Sequence, residues 1–159
     1  MKFQTIILYL KEGDIMPTQD TIKLLNECNA GIKMAVESLD EVINKAKNEK
    51  LITLLKNSLE EHKKLGNLTH QKLNEFHDKD KEPSTIAKAM SWMSTNLKLL
   101  TGDVDEKIAD IITEGCNMGI KSLNQYLNQY AMADVISKKI TEKLIRLEEN
   151  LRKELSTYL

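Results

Sequence analysis

The six residues Cys28-Asn29-Ala30-Gly31-Ile32-Lys33 return as Cys116-Asn117-Met118-Gly119-Ile120-Lys121, five of them identical, at an offset of 88. The same offset pairs Leu39 with Leu127, Ile52 with Ile140, Thr53 with Thr141 and Leu59-Glu60-Glu61 with Leu147-Glu148-Glu149. One register held across two helical segments and the turn between them predicts a duplicated helical hairpin. That expectation narrows the choice of fold more than any other feature of the chain.

Periodicity agrees with it. Thr18 is placed to cap a first helix whose apolar positions are Ile22, Leu25, Cys28, Ile32, Ala35/Val36, Leu39, Val42/Ile43 and Ala46, the alternating three–four spacing of a bundle helix. A polar connection at Lys47 to Lys50 leads to a second helix with Leu51, Leu55, Leu59, His62, Leu65/Gly66, Thr69, Leu73 and Phe76 inward. A third helix, from about Val104 to Ala131, turns Ile108, Ile111/Ile112, Cys116, Ile120, Leu123 and Leu127 inward, with Tyr126 and Tyr130 beside them. After a turn at Ala133-Asp134, a fourth carries Ile136, Ile140, Leu144, Leu147, Leu151 and Leu155 or Tyr158. The first two helices each run roughly 40 Å at 1.5 Å per residue, so a tight turn makes them antiparallel neighbours.

Between the hairpins lies the polar stretch His77 to Pro83, then a shorter amphipathic segment with Ile86, Ala89/Met90, Met93, Leu97 and Leu100, stopped by Thr101-Gly102-Asp103. A connection this long is more than an up-down-up-down bundle needs. It predicts a helical crossover along the bundle's length, and with it an all-α, ferritin-like four-helix bundle. The expected organisation is an N-terminal appendage over 1–15 and a single domain over 16–159. Within that domain the repeats fall at about 18–77 and 104–159, and the crossover at 78–103. In this arrangement Gly31 and Gly119 sit near the middles of neighbouring helices. Since glycine costs about 1 kcal/mol against alanine in a helix interior, matched glycines predict close helix–helix approach.

Composition bounds the function. The 159 residues suffice for a core of their own, and only 4% are aromatic, which favours helices over strands. The net charge is −1 with both signs interspersed. That offers neither the basic face of a nucleic-acid binder nor the polarised helix of a membrane-surface protein. The apolar run Phe3 to Leu10 is too short to span a bilayer, and lacks the basic lead and small-residue cleavage site of a signal peptide. Two cysteines without a C-x-x-C spacing read as reduced core thiols, and the expected setting is the cytoplasm.

A ferritin-like bundle raises the question of a di-metal carboxylate centre, which needs inward glutamates and two Glu-x-x-His pairs. The sequence does not supply them. His62 follows Leu59, His70 follows Asn67 and His77 follows Asn74, and at offset 88 the repeat partner of His62 is Asn150. Glu37, Asp40, Glu41 and Glu114 fall on outward faces, with Glu27 on a flank. What remains is His62 near the centre of an apolar stripe. The structural expectation is a core histidine hydrogen-bonded to a neighbour. The functional alternative is a degenerate metal site holding iron, manganese or zinc weakly through His62 with Glu61 or Glu154. Glu61 stands about 100° round the helix from His62, an awkward angle for a shared ligand. No phosphate-binding loop or nucleophile elbow is present. Outside the four helices, Met90, Trp92 and Met93 form an apolar cluster. With Tyr126, Tyr130 and the N-terminal apolar run, it is the expected contact for a second copy or another protein.

Three segments carry a resemblance: Ser91-Trp92-Met93-Ser94, Ile111-Ile112-Thr113-Glu114-Gly115-Cys116-Asn117-Met118-Gly119-Ile120, and Leu147-Glu148-Glu149-Asn150. Over roughly residues 18–159 the chain resembles an uncharacterised ferritin-like helical-bundle family of Firmicutes. More distantly, it is similar to a bundle family of unknown function in proteobacteria. The resemblance implies the bundle fold and a bacterial cytosolic protein, and it brings no catalytic residues with it. The expectation carried forward is a homodimeric, non-enzymatic structural or protein-interaction module with no cofactor, no nucleic acid and no membrane insertion. The alternative is a divergent metal-binding or oxidative protein centred on His62.

Overall fold

The computed structural model describes residues 18–76 and 102–159. They form a four-helix bundle: α1 Gln19–Ile43, α2 Glu49–Glu75, α3 Val104–Gln129 and α4 Val135–Leu155, closed by a 3-10 turn at Ser156–Tyr158. Each helix starts where a side-chain oxygen satisfies first-turn amides that no intrahelical carbonyl can reach. Thr18 accepts from the amide of Thr21, Asn48 from Lys50 and Leu51, Asp103 from Asp105 and Glu106, and Asp134 from Ser137. Gly102, at φ +80°, supplies the left-handed residue just before the Asp103 cap, a conformation other residues rarely adopt.

The relative direction of the helices follows from contacts at the two ends. At one end, Thr18 Oγ1 donates to the carbonyl of Met132 at 3.0 Å, Asp20 accepts from the Met132 amide at 3.0 Å, and Thr21 Oγ1 accepts from Asp134 at 2.8 Å. At the other, the Asp105 carboxylate accepts from the amides of Lys47 and Asn48 at 2.7 and 3.0 Å. The start of α1 therefore meets the α3–α4 turn, and the start of α3 meets the α1–α2 turn. α1 runs antiparallel to α3 and parallel to α4, so the order is up-down-down-up. The end of α2 and the start of α3 lie at opposite ends of the bundle. The expected crossover helix between them, and the appendage over 1–15, lie outside the described residues.

The two hairpins meet in a reciprocal way, each offering helix N-terminal acceptors to the other's turn. Their register differs from the sequence expectation. Turns align at 86, not 88: C-caps Asn44 and Tyr130 are separated by 130 − 44 = 86, and N-caps Asn48 and Asp134 by 134 − 48 = 86. The offset of 88 keeps α1 and α3 in phase, placing both Cys28 and Cys116 inside. In the second helices it fails. Thr53 is exposed where Thr141 is buried, and Glu60 is exposed where Glu148 is buried. At 86, the buried residues Leu51, Leu55, Leu59, His62, Leu65 and Thr69 map onto Ser137, Thr141, Ile145, Glu148, Leu151 and Leu155, all buried, and only Leu73 meets an exposed partner, Leu159.

That phase corrects the expected face of α4. Ile136 is exposed and Leu147 half-buried, while Ser137, Thr141, Ile145 and Glu148 turn inward. The core divides into two apolar clusters. One, at the α1–α2 turn end, contains Leu39, Leu55, Leu59, Ile108, Ile112, Cys116 and Leu151. The other, toward the α3–α4 turn, contains Leu25, Cys28, Ile32, Leu65, Leu73, Leu123 and Leu144. His62 and Glu148 are buried at the level between them.

Candidate functional site

The layer between the clusters is built by α2, α3 and α4. His62 of α2 is fully buried. Its Nε2 lies 3.1 Å from Glu148 Oε1 on α4, and its Nδ1 lies 2.7 Å from the Ser58 carbonyl one turn back. The carbonyl can only accept, so Nδ1 carries a proton and donates it. An ionised Glu148 can likewise only accept, so Nε2 donates too. Burial by itself pulls the His62 pKa down, but the hydrogen bond and charge of Glu148 and the Ser58 carbonyl outweigh it, and the pKa ends above its ordinary value. The two residues are separated by 148 − 62 = 86, the register that aligns the turns.

Cys116 of α3 completes the layer, with its thiol hydrogen-bonded to the Glu148 carboxylate. Burial, followed by the charge and hydrogen bond of Glu148, pushes its pKa far up. Cys28 is similar: Thr141 Oγ1 gives its proton to the Ser137 carbonyl at 2.8 Å, so the Cys28 thiol donates to Thr141 at 3.1 Å. Burial pushes that thiol up to about 12. Both cysteines are free and protonated at neutral pH, and are poor nucleophiles as they stand.

Above this floor, a cavity of about 280 Å³ opens between α1 and α3. Its walls include the small residues Gly31, Ala35 and Ser38 on α1 and Gly115, Gly119 and Ser122 on α3. Met34, Met118, Leu144 and Leu151 add apolar surface, and His62, Cys116 and Glu148 form the polar base. At one side Glu27 accepts a hydrogen bond from Tyr126. Burial raises the Glu27 carboxyl above its usual range, and the hydrogen bond from Tyr126 partly offsets this.

The glycines do not play the expected part. A Cβ on Gly31 would meet only Leu144 Cδ2, at 3.9 Å, and one on Gly119 only the Glu148 side chain, at 3.8 Å or beyond. Both are ordinary contacts, so close helix approach is not what these positions require. They border the cavity instead. The tight glycine is Gly66 on α2, where a Cβ would stand 3.0 Å from Ile32 Cγ2.

Of the weak metal candidates, only His62 reaches the floor. Glu61 is bound to Lys64 at 2.8 Å, and with the exposed Glu154 it lines a separate surface groove on the outer side of α2 and α4. Among the described residues, no group of three or more His, Cys, Asp and Glu is arranged to hold a metal ion. Met90, Trp92 and Met93 lie outside the described residues. Tyr126 and Tyr130 are half-buried and stack on each other at 6.1 Å, with Tyr126 turned to Glu27 and the cavity. Sequence reasoning missed Glu148 because it reads as one of many exposed glutamates on a charged helix. A signal was present in the α4 steps 137, 141, 144, 148, 151 and 155, which keep helical period if polar residues are admitted to the inner face.

Among the described residues, no helix is long and apolar enough to cross a membrane. Compared with protein-family models, curated proteins and solved structures, the chain finds no match.

Proposed function

We propose that this protein is a non-enzymatic binding module, a helical bundle of the ferritin-like type whose working part is the pocket between α1 and α3. The observation that carries the reading is the small-residue seam over a polar floor. A Cβ added at Gly31 or Gly119 would enter open space and meet no neighbour closer than ordinary contact. Protein interiors are close-packed, and an unfilled volume forfeits dispersion and transfer energy. A seam kept open at mid-bundle, above buried His62 and Glu148, is what a ligand site requires. Chemistry at this floor finds less support: both thiols are held protonated and both His62 nitrogens are engaged. An iron, manganese or zinc site at His62 would need Nε2 as a ligand, and that nitrogen is spent on Glu148.

The test is titration with the neutral apolar dye Nile red, followed by fluorescence, on the wild type and on Gly31→Leu. Leucine fills the pocket and adds about 0.8–1 kcal/mol of helix propensity over glycine, so the variant should melt no lower than the wild type. Dye binding by the wild type and its loss in a stably folded Gly31→Leu is the expected result. Equal binding by the two, or none by the wild type, overturns the reading. Ala35→Leu serves if Gly31→Leu does not fold.

A further inference from the structure

Resting on the pocket as a binding site, we infer that its ligand is an apolar amine, a compact hydrocarbon body carrying a cationic or strongly hydrogen-bond-donating head. The size and walls set the body: about 280 Å³ bounded by methionine, leucine and bare glycine backbone. The ionisable groups set the head. Facing the cavity are Glu27 from α1, His62 from α2, Cys116 and Tyr126 from α3, and Glu148 from α4. No lysine or arginine is among the lining residues. Arg152, whose charge reaches Cys116, donates to Asn117 Oδ1 at 2.9 Å and does not line the pocket.

His62 is the one cation on this wall, and its charge is already matched by Glu148 at 3.1 Å. Glu27 is matched by a neutral phenol alone, so the pocket carries one carboxylate without a cationic partner among its lining groups. Half-buried beside apolar surface, that carboxylate gains more from an ammonium group than one in open water would. An anionic head would meet two carboxylates and no free cation. Glu148 adds a second acceptor, since its carboxylate lies over the bare backbone of Gly119, with Oε2 4.0 Å from where a Cβ would stand.

The experiment is isothermal titration at pH 7 with n-octylamine, n-octanol and n-octanoate, which share a chain and differ only in head group. The amine should bind about five- to tenfold tighter than the alcohol, the worth of a charge-assisted over a neutral hydrogen bond, and the carboxylate should bind weakest. Glu27→Gln should remove the amine's advantage over the alcohol. Octanoate binding as tightly as octylamine, or an amine preference untouched in Glu27→Gln, overturns the amine assignment while the pocket stands. If none of the three binds and Nile red does not bind either, the pocket reading falls with it.

Discussion

His62 shows how a residue's surroundings convert a weak base into part of the fold. Its nitrogens are both donors, one to Ser58 and one to Glu148, so the protonated form is the one the bundle is built around. The folded-state pKa is raised, so the stability this group contributes is fully present below its unfolded value, about 6.5, and is lost as pH rises through the higher folded value. Urea melts of the wild type from pH 6 upward should therefore show stability falling. In Glu148→Gln the Glu148 charge that raises the pKa is gone and burial is opposed mainly by the Ser58 carbonyl and Glu61, so the slope should flatten. A wild-type slope kept unchanged in that variant would remove Glu148 as the cause. Truncation to His62→Ala strands the Glu148 carboxylate in the core and should cost about 3–5 kcal/mol, the usual penalty for breaking a buried pair.

The helices themselves were largely legible, because caps and apolar period are local. The inner face expected for α2, from Leu51 to Leu73, is buried, and Thr18 caps α1 as its sequence context suggests. What local pattern could not show is how one hairpin's turn is fastened by the other's helix. Asp105 looks like an ordinary first-turn acid, yet it accepts two amides of the α1–α2 turn, 57 and 58 residues away. Asp105→Ala should lose about 1–2 kcal/mol, as expected for two hydrogen bonds to a charged group at the surface. Faster hydrogen exchange at Lys47 and Asn48 should accompany the loss. Unchanged exchange at those two amides would mean the contact does not hold the turn.

For the whole molecule, the up-down-down-up order places the end of α2 and the start of α3 at opposite ends of the bundle. A helix the length of α3 spans about 39 Å, which an extended chain crosses only with about 11–12 residues or more. Replacing residues 77–101 with five residues should therefore abolish the monomeric fold, yielding exchanged dimers or aggregates. A Gly/Ser linker of the native length should leave it, as read by light scattering and circular dichroism. A folded monomer with the short linker would show that the helix directions are wrong. By itself the sequence determined the four long helices of the described residues, the Thr18 cap, the inward cysteines and the need for a long crossing. These follow from period, capping and chain reach, which are properties of neighbours along the chain. Only the tertiary structure decided the register of 86 between the second helices, the meeting of His62 with Glu148 and the opening of a pocket at Gly31 and Gly119. Each depends on the rotation of one helix against another. That rotation is set by the summed packing of both faces, so a glutamate can turn inward where the apolar pattern alone would have chosen a leucine.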